Sequence, residues 1–352
     1  MKTLSLVGRV AALALLAEAV ATPGLWWPDG LLAPVPAWGA VAPALVAWRG
    51  ATLALALACA WAVVDGRRRS FALALALLLA RCGPDRALWQ PYVLEQSALL
   101  AGACFVDDAR EEDVTEALRW LLGLVFVWGG AHKWNHDFLA RGLDWVPFAL
   151  PRGAAYGVAL GEFALGVACV VRPARAAARY ALALFSLAIV ATLLVARRNL
   201  AVVPWNLSHV PLALLLLRPE GDWRRATRHP FAWGVAAVFG ALPLAYPLGW
   251  PPYLALRVYT ADSLRAMFFL ADDRALPPAA RAVARHDAPG ALSVSVDLER
   301  WAHAETGGFI PPEAPCFRAI HARLCARAAG AQVLLVMAQP REPRTRYERC
   351  PR

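Results

Sequence analysis

The sequence predicts an all-α polytopic membrane helix bundle of eight or nine spans, followed by a small C-terminal α+β domain outside the membrane. Hydrophobic residues make up 59% of the 352-residue chain and charged residues 18%, far from the balance of a water-soluble domain. The apolar residues fall in blocks of roughly 15 to 20, a length that approaches the hydrocarbon thickness of a bilayer at ~1.5 Å per helical residue. From about residue 251 the blocks give way to short alternating runs, which divides the chain into a bundle, 1–250, and an extramembrane domain, 251–352.

The first block, 4–21, follows Lys2 and ends in small residues, so a retained helix and a cleaved signal peptide are both open; Arg9 and Glu18 within it favour the helix. The aromatic and turn-forming stretch from Trp26 to Gly30 suits a membrane interface. The second block, 44–64, runs into Arg67, Arg68 and Arg69. The third, 70–82, is short, and the fourth is 88–105. A charged helical stretch, 107–119, leads into the fifth, 120–138. The sixth to ninth are 153–171, 180–196, 200–217 and 231–250.

If the loop of Arg67 to Arg69 is cytoplasmic, alternation of nine spans places twelve basic residues near span ends inside and seven outside. This is the bias expected of an inner (plasma) membrane protein, and it puts the C-terminal domain on the non-cytoplasmic side. In that domain the runs 253–259, 266–270, 291–296 and 332–337 read as strand-like and 315–328 as helical.

The net charge of +10 comes mostly from arginines at block ends, not from a basic patch interleaved with aromatics, so nucleic-acid binding is not expected. The seven cysteines form no CxxC pair, which argues against a thiol relay or a zinc site built on that spacing. Two readings are open for Cys316, Cys325 and Cys350, one disulfide or free thiols.

Ionisable groups inside a bilayer are costly and are by default candidates for function. Glu18, Arg49, Glu95, Lys133, Glu162, Asn206 and His209 all fall within or beside apolar blocks. The densest constellation is 128–138, where Gly129 and Gly130 precede His132, Lys133, Trp134, Asn135 and His136. It reads either as an interfacial anchor, with Lys133 snorkelling and Trp134 in the headgroup belt, or as a site. His132 and His136 share a helix face without a third ligand of suitable spacing, so no metal is expected. Glu162 lies too deep in the sixth block to reach water and needs a partner or a proton. Gly157 and Gly161 beside it suggest a small-residue face that would bring Lys133 or His132 close. Asn206 and His209, three residues apart, either bond another helix or line the same cavity.

Residues 127–138, with Gly130-x-x-Lys133 followed by Asn135 and Phe138, resemble the signature helix of the vitamin K-dependent gamma-carboxylase-like proteins and their bacterial HTTM (horizontally transferred transmembrane) relatives. Glu162 and the stretches 199–208 and 250–260 are similar to a bacterial branch of that group, over an architecture spanning 1–270. The resemblance implies a membrane enzyme in which Lys133, as a neutral amine, deprotonates a lipid-soluble quinol of the vitamin K hydroquinone kind. His132 and Glu162 would then be catalytic partners, and Trp134, Asn135, Asn206 and His209 would line the pocket. The rival expectation is a non-enzymatic membrane protein that binds lipid, or serves transport or assembly, with intramembrane polar groups that are structural.

Overall fold

The computed structural model describes all residues except 1, 28–30, 33–34, 38–48, 152, 221–222, 258–259, 287–290, 329–331, 340–344 and 351–352. The turn after Trp27 and the start of the second apolar block therefore lie outside the described residues. The helices are α1 (Thr3–Ala21), α2 (Arg49–Asp65), α3 (Arg68–Cys82), α4 (Pro91–Ala103), α5 (Glu111–Ala131), α6 (His136–Arg141), α7 (Ala154–Val170), α8 (Arg175–Ala196) and α9 (Val202–Leu216).

Four described segments are long and apolar enough to cross a membrane: Thr3–Ala21, Glu111–Ala131, Arg172–Ala196 and Pro230–Leu248. This corrects the expectation of eight or nine spans. Four of the remaining apolar blocks form helices of 13 to 17 residues, or about 20–26 Å at 1.5 Å per residue, short of a ~30 Å hydrocarbon layer, while the helix of the second block is described only from Arg49. Some of the apolar runs spill into turns. The fourth block, for example, opens with a 3-10 turn at Arg86–Leu88 capped by the Asp85 carboxylate, and its helix begins only at Pro91. The fourth crossing segment is itself irregular, passing from α-helix (Pro230–Val235) through a π-helical turn (Ala236–Ala241) to 3-10 helix (Leu242–Leu248).

α5 is the axis of the bundle: 72% of its apolar window is buried, against 22–50% in the other three crossing segments. It begins at Glu111, so the charged stretch before the fifth block is part of the same helix. That is possible because Glu116 is neutralised from two sides. Its carboxylate accepts from Arg119 on its own helix and from Arg175 of α8, and all three side chains are buried. Arg175 also donates to the Cys169 and Val170 carbonyls at the end of α7, and Arg119 to Leu216 O at the end of α9. One buried ion cluster thus satisfies carbonyls left open at two helix ends.

The opposite end of the bundle carries the C-terminal domain, a four-stranded antiparallel sheet in the order β2-β1-β3-β4. Its strands are β1 (Arg265–Leu270), β2 (Val294–Asp297), β3 (Val333–Ala338) and β4 (Arg346–Arg349). Alternating burial along β3 turns Val333, Leu335 and Met337 inward, towards α10 (Leu298–Thr306) and α11 (Ala314–Arg327), with Phe268 and Trp301 fully enclosed. The alternating run at 253–259 is not a strand: its described part is a turn, with Leu256 buried at positive φ. Polar contacts fasten domain to bundle. Arg86 pairs with Glu313 at 3.0 Å, Gln90 Nε2 donates to Phe309 O at 3.0 Å, and Arg198 pairs with Glu299 at 2.5 Å. Burial pushes the Glu313 carboxyl above the usual carboxylate range, the Arg86 guanidinium opposing it.

Candidate functional site

α5 and α7 meet backbone to backbone because glycines line their seam. A Cβ on Gly123 would lie 2.8 Å from Gly166 O, one on Gly130 would lie 2.7 Å from Ala159 O, and one on Gly166 would strike the Val127 amide. The close approach of these two helices rests on Gly123, Gly130 and Gly166. Gly157 and Gly161, expected to form that face, have open space where a side chain would stand. They lie on the other side of α7.

The seam delivers Lys133 to Glu162. The ammonium donates to Glu162 Oε2 at 2.6 Å and to Gly129 O at 3.0 Å, and lies 5.9 Å from the centre of the Phe138 ring. Lys133 is 7% exposed. Three features favour a cation here: a carboxylate, the open carbonyl end of α5 and an aromatic face. The geometry is that of an ion pair, with both partners engaged.

The other candidates divide. His132 lies one residue past the end of α5, stacks on Trp128 and bonds Ala255 O at 3.0 Å. Burial, with Arg257 nearby, pushes its imidazole down to about 4. It does not join the ion pair. Trp134 is half exposed beside Tyr156. Asn135 caps α6 by accepting from Phe138 N, and donates to the His132 and Thr260 carbonyls, so its role is to hold the turn and the segment above it.

Asn206 and His209 stand on α9. Asn206 donates back to Val202 O, while His209 Nε2 meets both oxygens of Glu95 at 3.1 and 3.2 Å, and Trp205 Nε1 donates to the same carboxylate at 2.7 Å. Sequence reasoning singled out Glu95 and His209 separately. Nothing in their spacing, 114 residues apart, joins them. Glu18, fully buried on α1, has no hydrogen-bond partner for either oxygen among the described residues.

Lys133, Glu162, Asn206 and His209 all line one cavity of about 270 Å³ between α5, α7, α8 and α9, whose walls are otherwise almost entirely apolar. Its rim includes Phe148, Leu150 and Ala188, all on the exposed surface. A second, polar cleft of about 650 Å³ lies between the bundle and the C-terminal domain. Five arginines (Arg141, Arg197, Arg198, Arg265 and Arg300) and three acids (Asp144, Asp297 and Glu299) line it. Among the described residues, Trp145 and Trp205 belong to the walls of both, so the apolar chamber and the arginine-lined cleft adjoin there.

A family model described as methylamine utilisation protein MauE matches residues 111–204, about a quarter of the chain. No curated protein and no solved structure matches the sequence. The matched stretch contains 127–138, Glu162 and part of 199–208, on which, together with 250–260 outside it, the likeness to the gamma-carboxylase-like and HTTM proteins rests. That likeness is corrected: α5, α7, α8 and the start of α9 are similar to MauE. The chain is a helical membrane protein.

Proposed function

We propose that this protein is a membrane component that binds one amphiphile, seating its apolar part in the cavity between α5, α7, α8 and α9 and its anionic end in the arginine-lined cleft. The observation that carries the reading is the shared wall of Trp145 and Trp205 between the two chambers. A chamber of ~300 Å³ with convergent polar groups is of the size that takes a small ligand or one segment of a larger one. Indoles at the junction suit the boundary between an apolar and a polar moiety.

The site is a binding site in this reading, and Lys133 is part of its wall. The ammonium already donates hydrogen bonds to Glu162 and Gly129 O, so the pair supplies a fixed dipole in the cavity wall and holds α5 against α7. The ligand class is an anionic membrane lipid, for which the cleft carries two more arginines than acids. The disulfide Cys325–Cys350 supports a non-cytoplasmic C-terminal domain, since such bonds persist in oxidising compartments.

The test is lipid retention. Native mass spectrometry of detergent-purified protein should show one bound anionic lipid, reduced at least about tenfold in Ala188→Trp, which fills the cavity, and in Arg265→Glu/Arg300→Glu, which reverses the cleft. Equal retention of neutral and anionic lipids in the wild type, or an unchanged level in both variants, would remove the reading. From the name of the family matched at 111–204 we carry over a role in methylamine utilisation. A strain lacking the protein should grow poorly on methylamine, and normal growth would detach the chain from that process.

A further inference from the structure

We propose that the C-terminal domain, once its disulfide is reduced, binds one thiophilic divalent cation such as Zn²⁺ through His321, Cys325 and Cys350. This site is separate from the bundle cavity and does not depend on the amphiphile reading.

α11 places His321 and Cys325 four residues apart, on one helix face. Cys350 follows β4, which pairs with β3, and is brought over that face as the disulfide partner of Cys325. The imidazole and the two sulfurs offer ligand atoms that all lie within 4.8 Å of one another. His321 Nε2 is 3.4 Å from Cys325 Sγ. In a tetrahedral zinc site with Zn–N of ~2.05 Å and Zn–S of ~2.3 Å, the N···S edge is about 3.6 Å. One edge of the tetrahedron is therefore already built. His321 is buried, its ring stacked on Phe268 at 6.3 Å between centroids, so its orientation is set before any metal arrives.

The remaining adjustment is a separation of the two sulfurs from bonding contact to an S···S edge of roughly 3.8 Å, which side-chain rotation can supply once the bond is cut. The redox step balances with a dithiol as reductant. Its two S–H bonds break and its own disulfide forms, while the Cys325–Cys350 bond breaks and each sulfur takes a proton. Metal binding then forms two metal–thiolate bonds and releases both protons. Two thiolates cancel the charge of a divalent ion, and their softness selects zinc-like metals over calcium or magnesium. Three protein ligands leave the fourth position to water or to an incoming donor.

The experiment uses the full chain in detergent, reduced with a dithiol, freed of reductant without air and titrated with Co²⁺. Expected are one equivalent of Co²⁺, tetrahedral visible bands and thiolate-to-cobalt absorption in the near ultraviolet, all missing from the oxidised protein. Cys350→Ser should abolish them. His321→Asn, whose folding can be verified with its disulfide intact, should weaken Co²⁺ binding at least about tenfold after reduction. Five other cysteines are present, so identical bands in Cys350→Ser would assign the metal elsewhere and overturn the proposal. Absence of bands in the reduced wild type would do the same, as would a failure of Zn²⁺ to raise its unfolding temperature.

Discussion

Gly129 and Glu162 occupy what would otherwise be one volume: a Cβ on the glycine would collide with Oε1 of the carboxylate that Lys133 holds. Gly129→Ala should therefore displace Glu162 and break the ion pair, at a cost of about 2–4 kcal/mol. Gly161→Ala, one residue from Glu162 but facing open space, should be neutral or stabilising by up to about 1 kcal/mol. Thermal unfolding of both variants in the same detergent measures the contrast, and equal losses would contradict the tight Gly129–Glu162 contact.

The ion pair itself predicts strong non-additivity. Lys133→Met or Glu162→Gln leaves a buried partner without its counter-charge and should cost about 3 kcal/mol each. The double variant should recover most of one of those losses, because no uncompensated charge is left. A double-mutant cycle with a coupling energy near zero would mean that the two groups do not depend on each other.

Glu18 and Glu95 are both fully buried, yet among the described residues partners serve Glu95 alone, from His209 and Trp205. Glu18→Gln should leave stability unchanged or raise it by about 1 kcal/mol, since it removes a carboxylate that gains nothing from its surroundings. Glu95→Gln should cost about 2 kcal/mol through lost charge-assisted bonds. The ranking of their unfolding midpoints decides the matter, and a reversed order would contradict it.

Glu313 gives a pH signature. Burial raises its folded-state pKa above the unfolded value, with Arg86 opposing. The folded form therefore holds the proton more tightly, and the associated stability is present below pH ~4.5 and lost as pH rises through the folded value. Glu313→Gln forgoes the bond to Arg86 at every pH but escapes this loss. The difference in unfolding temperature, variant minus wild type, should grow from pH ~4 to ~7, and a constant or shrinking difference would contradict the sign.

Much of the bundle is legible in the apolar blocks, since seven of the nine fall on a helix beginning within a few residues of the expected start; the start of the second lies outside the described residues, and α5 starts nine residues before the fifth block. Crossing was harder to read. Composition does not distinguish an apolar residue in a helix from one in an adjoining turn, as at Leu88, and blocks such as those of α3 and α7 form helices of only 15 and 17 residues. Lys133 and Glu162 stood out because charge in an apolar block is rare. Which glycines bring them together did not, because Gly157 and Gly161 have the same local spacing as a true seam and only the rotation of α7 separates the two. Arg81, one of the seven basic residues that the alternation of spans places outside, is buried against Asp85 at 3.1 Å and Thr52 at 2.9 Å. The trio His321, Cys325 and Cys350 was opaque for another reason: half of it is an intrahelical spacing, and the other half depends on strand pairing.

If the apolar chamber holds the amphiphile proposed above, the exposed rim of Phe148, Leu150 and Ala188 is its mouth on the outside of the helices. A guest entering there from the bilayer would not have to dissolve in water. Its supply is governed by how strongly it partitions into one leaflet, where confinement to a thin sheet raises its local abundance far above any aqueous level. Weak intrinsic affinity is then enough for steady occupancy, and membrane composition becomes the dial that sets it.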